Sequence, residues 1–500
     1  MPKPTQVVLI MTDTQGANIV GCYGRPEMQT PNIDRLAAEG MRFDRAYTAS
    51  PVCGPARSAL FTGTFPHSNA SWGNDMPLGA NIKTIGQRLR DHGVHTAYIG
   101  KWHLDGTDYF GSGRCPDGWD PACWFDMRCY LEGMSDEDRL LSRQANTPEE
   151  IHEHGITEDF TFAHQCSDRA ISFLSSHHRD DFLLVLSYDE PHHPYVCPPP
   201  YCDMFAGFDY ALGPNASGHL TDKPPHVREW AEAANLPRGR ASVRRPMYFG
   251  CNSFVDHEIG RAVEAVTRYA PGALVIYTSD HGAPLLSHGL PSKGPAMYEE
   301  TTRIPFIVRW PGRAPAGTVN QHPASQVDVV PTILDMFGLE RPPFLEGRSM
   351  LQAFADPAVP ANDVVFLEFN RYEVDHDSWG GFQPIRCACD GRLKLVVNLL
   401  STDELYDLES DPQEMTNLIE SEAHADIRDR LHAAILDWMG RTRDPFRGPA
   451  WERRPWQARR TLTWNGLMRL RLDDGYERRV LDYGTGLEPE EFVIDVHRRR

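Results

Sequence analysis

Five hundred residues exceed what a single hydrophobic core organises, so the chain is expected to fold as a large domain with a smaller companion. Its 41% hydrophobic and 24% charged residues describe an ordinary globular protein and exclude a disordered one. The formal charge of −19 excludes a nucleic-acid binder, which needs a basic face, and obliges any anionic ligand to find a locally positive pocket.

In chain order, QVVLIM (6–11) leads into Thr12-Asp13, and Thr30-Pro31 opens a helix that Gly40 ends. Ile82, Ile85 and Leu89 mark the inner face of a second helix closed by Gly93. TAYIG (96–100) leads to Lys101 and His103, and FLLVLSY (182–188) leads past Pro191 to His192. Val255, Ile259, Ala262 and Val266 line a third helix, and ALVIYTS (273–279) leads to Asp280 and His281. Short runs that are apolar on both faces read as buried strands of a mostly parallel sheet. Their alternation with helices predicts an α/β fold in which ligands bind beyond the carboxyl ends of the strands. The polar residues just named all fall at those ends.

Residues 105–160 and 196–250 are rich in Pro, Gly, Trp and Tyr with little periodicity, and read as irregular lids or substrate walls. ADPAVPAND (355–363) reads as a linker. After it, VVFLEF, RLKLVVNL and a helix over 423–440 predict a small α+β domain. The expected division is a catalytic domain at 1–360, a small domain at 361–450 and an arm at 451–500. That arm carries eleven Arg against nine acidic residues, with Trp451, Trp456 and Trp464, and suits a homo-oligomer contact or a cover for the active-site mouth. Eleven cysteines without a spacing pattern are no disulfide framework and fit a reducing cytoplasm. VVLIM is too short for a signal-peptide core, and no window reaches a membrane span, so no membrane partner is expected.

SPVCGPARSALFTG (50–63) sets Cys53 at the start of a proline-primed helix with Arg57 one turn above. Helix dipole and cation are expected to lower the thiol pKa and to make an anion site. Asp13, Asp280 and His281 form a plausible divalent-metal cage whose mixed oxygen and nitrogen donors do not name the metal. Lys101 and His103 alternate, so both face one side if the strand continues, with Trp102 turned into packing. Such a pair can hold anion oxygens and move protons. His192 and His193 are near-equal candidates beside them. NRYEVDHDSWGGF (370–382), through Asn370, Arg371 and His376, could line a sugar pocket together with Asp105.

Cys53-Gly54-Pro55-Ala56-Arg57 with its Ser-Ala-Leu-Phe-Thr-Gly continuation resembles the sulfatase signature Cys-x-Pro-x-Arg, which directs oxidation of the cysteine to Cα-formylglycine. GVHTAYIGKWHL (93–104) resembles the second sulfatase signature. MTDTQG (11–16) and TSDHG (278–282) resemble the metal-binding segments of sulfatases and of the alkaline phosphatase superfamily. His192 of EPHHPY is similar to the histidine of the family's Pro-His segment, and Lys293 of SKG stands where sulfatases carry a sulfate-contacting lysine. ELYDLESDPQEMTNL (404–418) resembles the C-terminal sulfatase segment. SYDEPHHP, EFNRYEVDHDSWGGF and the Arg/Trp tail look very like the YidJ-type sulfatases of bacteria.

The resemblance implies an alkaline phosphatase-like α/β/α sandwich with a C-terminal α+β domain, and hydrolysis of a small sulfate ester, a sulfated saccharide being the expected substrate. It implies catalytic roles for Cys53, Arg57, Lys101, His103, His192 and Lys293. It also implies one divalent cation on Asp13, residue 53, Asp280 and His281, with calcium the usual ion of the family and manganese, magnesium or zinc as alternatives. A formylglycine-generating or sulfatase-maturating enzyme becomes a required partner. Two departures change the cage: Thr14 stands where many sulfatases have a second aspartate, and His281 where others have asparagine. Thr14 and Gln15 are therefore open as further ligands. A phosphonate monoester or phosphodiester hydrolase on the same scaffold is the nearest rival, followed by an unmodified anion-binding protein. A cysteine-nucleophile phosphatase does not fit, because Gly54-Pro55-Ala56 is too short for its phosphate cradle and lacks one N–H.

Overall fold

Seven strands build the main sheet: β1 Gln6–Thr12, β2 Met41–Phe43, β3 His95–Gly100, β4 Phe182–Ser187, β5 Leu274–Ser279, β6 Phe306–Arg309 and β7 Thr318–Asn320. This computed structural model describes residues 4–106, 109–216, 220–236, 239–372, 381–457 and 484–487. The strand order is β7-β2-β6-β5-β1-β4-β3. Only β6 runs against the others, so the sheet is mostly parallel.

Alternation of side chains along each strand separates two apolar layers. Val8, Ile10, Leu184, Leu186, Val275 and Tyr277 pack against α1 Pro31–Glu39, α4 Phe162–His177 and α5 Pro246–Tyr269. Val7, Leu9, Leu183, Val185, Leu274 and Ile276 pack against α2 Cys53–Thr62, α3 Ile85–Arg90 and α6 Val329–Met336. The result is the α/β/α sandwich expected. Helix α3 begins later than its apolar spacing predicts: a capping box between Thr84 and Gln87 sets its start and leaves Ile82 outside.

The two segments expected to be irregular carry helices. Residues 127–132, 136–144 and 148–153 are helical in the first, and 225–233 in the second. Each is too short to display a clear period, which is why the sequence pattern hides it.

A second sheet of four antiparallel strands follows: β8 Val365–Tyr372, β9 Gly381–Cys389, β10 Leu393–Asn398 and β11 Glu404–Asp407. Leu431, Ile435 and Trp438 of α7 Ala425–Arg441 pack on it, and Ala59 of α2 and Phe65 just after that helix join the same cluster. The segment read as a linker is tied down, since Asn362 Nδ2 donates to Asp328 Oδ2 at 2.7 Å. His376, Trp464 and most of the 451–500 arm lie outside the described residues. No described helix is long and apolar enough to cross a membrane.

A buried ion pair ties β8 of the second sheet to the helical turn that follows α2. His67 donates its backbone N–H to Glu368 Oε1 at 2.7 Å, and its Nδ1 meets Glu368 Oε2. Burial alone would depress the His67 pKa, but the Glu368 carboxylate outweighs it and raises the value above 6.5. Burial likewise opposes the ionised Glu368, whose pKa His67 and Arg386 nevertheless pull below 4.5. The His67 contribution is therefore present below 6.5 and fades as pH rises through its raised value. The Glu368 contribution is present above 4.5 and fades as pH falls. Glu368→Gln is expected to lower unfolding stability at pH 6 by about 3 kcal/mol, with a smaller deficit at alkaline pH. Urea midpoints at the two pH values check this, and equal deficits would contradict it.

Candidate active site

Strand register brings the candidate residues together. Thr12 pairs with Ser279, so Asp13 and Asp280 leave the sheet side by side. Met11 and Gly100 both pair with Ser187, which sets Lys101 and Asp189 beside them. Strand β3 stops at Gly100, whose φ of 117° turns the chain; a Cβ there would sit 1.8 Å from the Ser187 carbonyl oxygen. The expected strand alternation of Lys101 and His103 is thus replaced by a turn, with His103 at φ 57°. Lys101 and His103 still face one cluster, and Trp102 packs against Phe61, Tyr98, Trp119 and Trp124.

Helix α2 delivers Cys53 in its first turn, where Asn74 Oδ1 accepts the orphan N–H of Gly54 at 2.8 Å. Pro55 lacks an N–H where none is needed, and Gly63 ends the helix in the left-handed region at φ 71°. Cys53 Sγ lies 3.1 Å from His281 Nε2 and 3.7 Å from Asp13 Oδ1, and Lys293 Nζ reaches it at 2.7 Å. One ligand atom each from Asp13, Cys53, Asp280 and His281 falls within 4.8 Å of the others, and all four residues are buried. His281 Nδ1 donates to the Gly282 carbonyl at 2.8 Å, which leaves the Nε2 lone pair turned to the cluster. Two carboxylates and an imidazole lone pair converging in a dry site are a donor set that fits a divalent cation.

Arg57 is fully committed within this cluster. Its Nε donates to Asp280 Oδ2 at 3.0 Å and its Nη2 to Asp13 Oδ2 at 3.1 Å. Its Nη1 donates to the Lys101 carbonyl and to Ser187 Oγ, both at 2.8 Å. Lys101 Nζ bridges Asp13 Oδ2 at 2.7 Å and Asp189 Oδ1 at 3.0 Å. Tyr109 accepts from Lys101 Nζ at 3.0 Å, donates to Asp189, and sits 2.9 Å from His192 Nδ1.

Electrostatics overturn one expectation. Burial, and then the Asp13 carboxylate, push the Cys53 thiol up to about 12, although the helix start and nearby cations were expected to lower it. Desolvation and a close anion outweigh the dipole in so dry a site. Burial also acts to raise Asp13, yet Lys101, His192, Lys293 and Arg57 hold it well below 3.8. Asp280 moves up, through burial and the neighbouring Asp13 charge. Burial and Lys101 keep His103 far below 6.5, and its buried Nδ1 has no hydrogen-bond partner among the described residues.

The two open ligand candidates part ways. Thr14 Oγ1 donates to Asp13 Oδ1 at 2.6 Å at the edge of the cluster. Gln15 turns inward instead: Tyr277 and Thr12 donate to its Oε1, and its Nε2 donates to Asn252 at 2.6 Å. A cavity of about 350 Å³ opens in front of the cluster, with Thr14, His192, His193 and Lys293 in its wall.

The profile of the family described as Sulfatase matches residues 5–339. The chain belongs to the sulfatase family. A second profile, N-sulphoglucosamine sulphohydrolase C-terminal, matches residues 288–440. This sulfatase is 46% identical over 505 aligned residues, covering all of both chains, to an Escherichia coli K12 protein described as uncharacterized sulfatase YidJ. It is 26% identical to an N-acetylglucosamine-6-O-sulfatase of Bacteroides thetaiotaomicron, covering 88% of this chain and 87% of that one. Its fold matches the crystal structure of a phosphonate monoester hydrolase of Agrobacterium radiobacter with a TM-score of 0.71 at 23% identity, covering 88% and 96% of the two chains.

Within the sulfatase site, three weaker sequence candidates do not reach the cavity, which Asp105, Asn370 and Arg371 do not line. Asp105 Oδ2 accepts the Ser112 N–H at 2.8 Å and so organises its own loop. Asn370 is 2% exposed and its Nδ2 donates to Glu368 Oε1 at 3.0 Å. Arg371 points to Asp75 at 3.5 Å. Conversely, Asp189 and Tyr109 were missed. Asp189 follows a strand as Asp13 and Asp280 do, so the same sequence grammar could have found it. Tyr109 lies in an aperiodic loop and carries no such signal.

Proposed function

We propose that this sulfatase hydrolyses the sulfate ester of a saccharide, with residue 53 as formylglycine hydrate and a divalent cation on Asp13, Asp280, His281 and residue 53. One observation carries the reading: Cys53 Sγ lies 3.1 Å from His281 Nε2, 3.7 Å from Asp13 Oδ1 and 2.7 Å from Lys293 Nζ. Sγ stands in for a hydroxyl oxygen of the oxidised residue. Bound there, a cation supplies positive charge that favours ionisation of that hydroxyl and offsets charge on sulfate oxygens. Calcium is the first candidate, with manganese, magnesium and zinc compatible with the donors.

A geminal diol at residue 53 supplies one hydroxyl to attack sulfur and a second whose deprotonation releases sulfate. Lys293, which touches position 53 and lines the cavity, holds the sulfate oxygens. Arg57 acts as a positioning residue: its fork fixes both carboxylates, so it does not grip the substrate. Lys101 keeps Asp13 ionised. Lys293 and His192 line the cavity as proton donors to the departing alcohol. Burial and Lys101 hold His192 down to about 3, so its imidazole is neutral ahead of substrate binding. His103, neutral and with its Nδ1 unpartnered among the described residues, takes the proton of the second hydroxyl. Cys53 is 1% exposed, so a maturation enzyme must reach it before the chain folds. Eleven free thiols support action in a reducing cytoplasm.

A saccharide substrate draws support from the N-acetylglucosamine-6-O-sulfatase relative. The second reading, a phosphonate monoester hydrolase, draws support from the Asp280-His281 pair and the shared fold. Paired assays on an aryl sulfate and a phenyl phosphonate ester, with enzyme made alongside a maturation enzyme, separate the two. The expected result is a higher kcat/KM on the sulfate, and a preference for the phosphonate would reverse the assignment.

A further inference from the structure

The cavity in front of Lys293 is positive, although the chain as a whole carries 69 acidic against 50 basic residues. Among the described residues no carboxylate lines it. Beyond Lys293 its wall holds a second cation, Arg245, flanked by Tyr195 and Tyr248. Arg245 is half-buried and its guanidinium neighbours the Tyr195 side chain. It forms no ion pair among the described residues. The adjacent Arg244 is exposed and paired through its Nε and Nη2 with the two carboxylate oxygens of Asp209, at 2.7 and 2.9 Å.

Two neighbouring arginines thus receive opposite treatment: the exposed one is neutralised and the one lining the cavity is left for a ligand. Stability does not explain the charge in the cavity wall. Arg245 precedes Pro246, at the N-terminal end of α5, where the helix dipole opposes a cation and the first turn supplies no acid. A half-buried guanidinium that lines a cavity with no carboxylate beside it keeps donors available to an entering anion.

We propose that Arg245 is a subsite for a second anionic group on the alcohol half of the ester, a carboxylate or a second sulfate. This rests on reading the cavity as the substrate pocket of a sulfatase. Its volume of about 350 Å³ is at the small end of ligand pockets, so both anions belong to one sugar-sized unit. The planar fork of arginine matches either carboxylate or sulfate through two parallel hydrogen bonds.

The test compares three monosaccharide sulfate esters: one otherwise neutral, one with a uronate carboxylate and one with a second sulfate. Wild type, Arg245→Met and Arg245→Lys enzymes are assayed on each, after maturation. Wild type is expected to show a lower KM on at least one of the doubly charged esters, and which one identifies the anion. Arg245→Met is expected to raise KM for that ester by about 10- to 100-fold with kcat retained, and to leave the neutral ester unchanged. Arg245→Lys is expected to fall between, since it keeps charge and loses the fork. Equal effects of Arg245→Met on neutral and charged esters would overturn the subsite while leaving the sulfatase reading intact. Wild type that turns over none of the three would overturn that reading and the subsite with it.

Discussion

Cys53→Ser, made in parallel with matured wild type, is expected to lose turnover by about a thousandfold or more while keeping its fold and its affinity for the cation. Serine occupies nearly the same space, so the contacts now made to Sγ by Lys293 and His281 can pass to its oxygen. A single hydroxyl can attack sulfur, but after the alcohol departs the carbon holds no second hydroxyl to expel sulfate. The variant is therefore expected to stop after one event with a sulfate ester on the introduced serine. Mass spectrometry of the peptide spanning residues 46–57, released by cleavage after Arg45 and Arg57, detects that adduct. Multiple turnovers at the native rate would remove the need for two hydroxyls and with it the proposed chemistry.

Arg57→Lys is expected to be nearly as damaging for a different reason. The guanidinium is fully buried and serves Asp13, Asp280, the Lys101 carbonyl and Ser187 at once. An ammonium has no planar fork and cannot span two carboxylates together with a carbonyl and a hydroxyl. Asp13 and Asp280 would then lie close together with less compensation, and breaking a buried pair costs about 3–5 kcal/mol. Asp280, whose pKa burial and Asp13 already raise, would shift further toward its protonated form and weaken as a ligand. Cation affinity is expected to fall by about 10- to 100-fold. Thermal melts with and without chelator, and calcium titration by calorimetry, check both effects. A variant with wild-type melting and calcium affinity would show that Arg57 does not organise the cage.

The central strands were legible because both faces of the sheet are covered, which forces uninterrupted apolar runs such as QVVLIM and FLLVLSY. Their polar successors marked the site, since a parallel sheet delivers every strand end to one rim. The path after those ends was not legible. Gly100 turns the chain through a backbone conformation that no periodic pattern announces, and Thr14 and His103 occupy the left-handed region without being glycine. The Cys53 thiol was misjudged because a dipole and a cation are visible in sequence, whereas desolvation and the approach of Asp13 exist only after folding. Asp105 and Asn370 carry chemistry-bearing side chains, but Asp105 Oδ2 is engaged with Ser112, Asn370 Nδ2 with Glu368, and neither residue lines the cavity. Tyr109 and Arg245 sit in the two Pro-, Gly- and aromatic-rich stretches read as substrate walls, but without periodicity nothing there singles out either residue, and only three-dimensional placement does so.

The most direct check is the oxidation state of position 53 in enzyme that turns over. Preparations made with differing amounts of maturation enzyme are digested, and mass spectrometry gives the aldehyde fraction of the 46–57 peptide beside the sulfatase rate of each. Rates that rise in proportion to that fraction and vanish with it are the predicted outcome. A preparation whose every molecule retains the Cys53 thiol, yet hydrolyses sulfate esters as fast as the rest, would contradict the account.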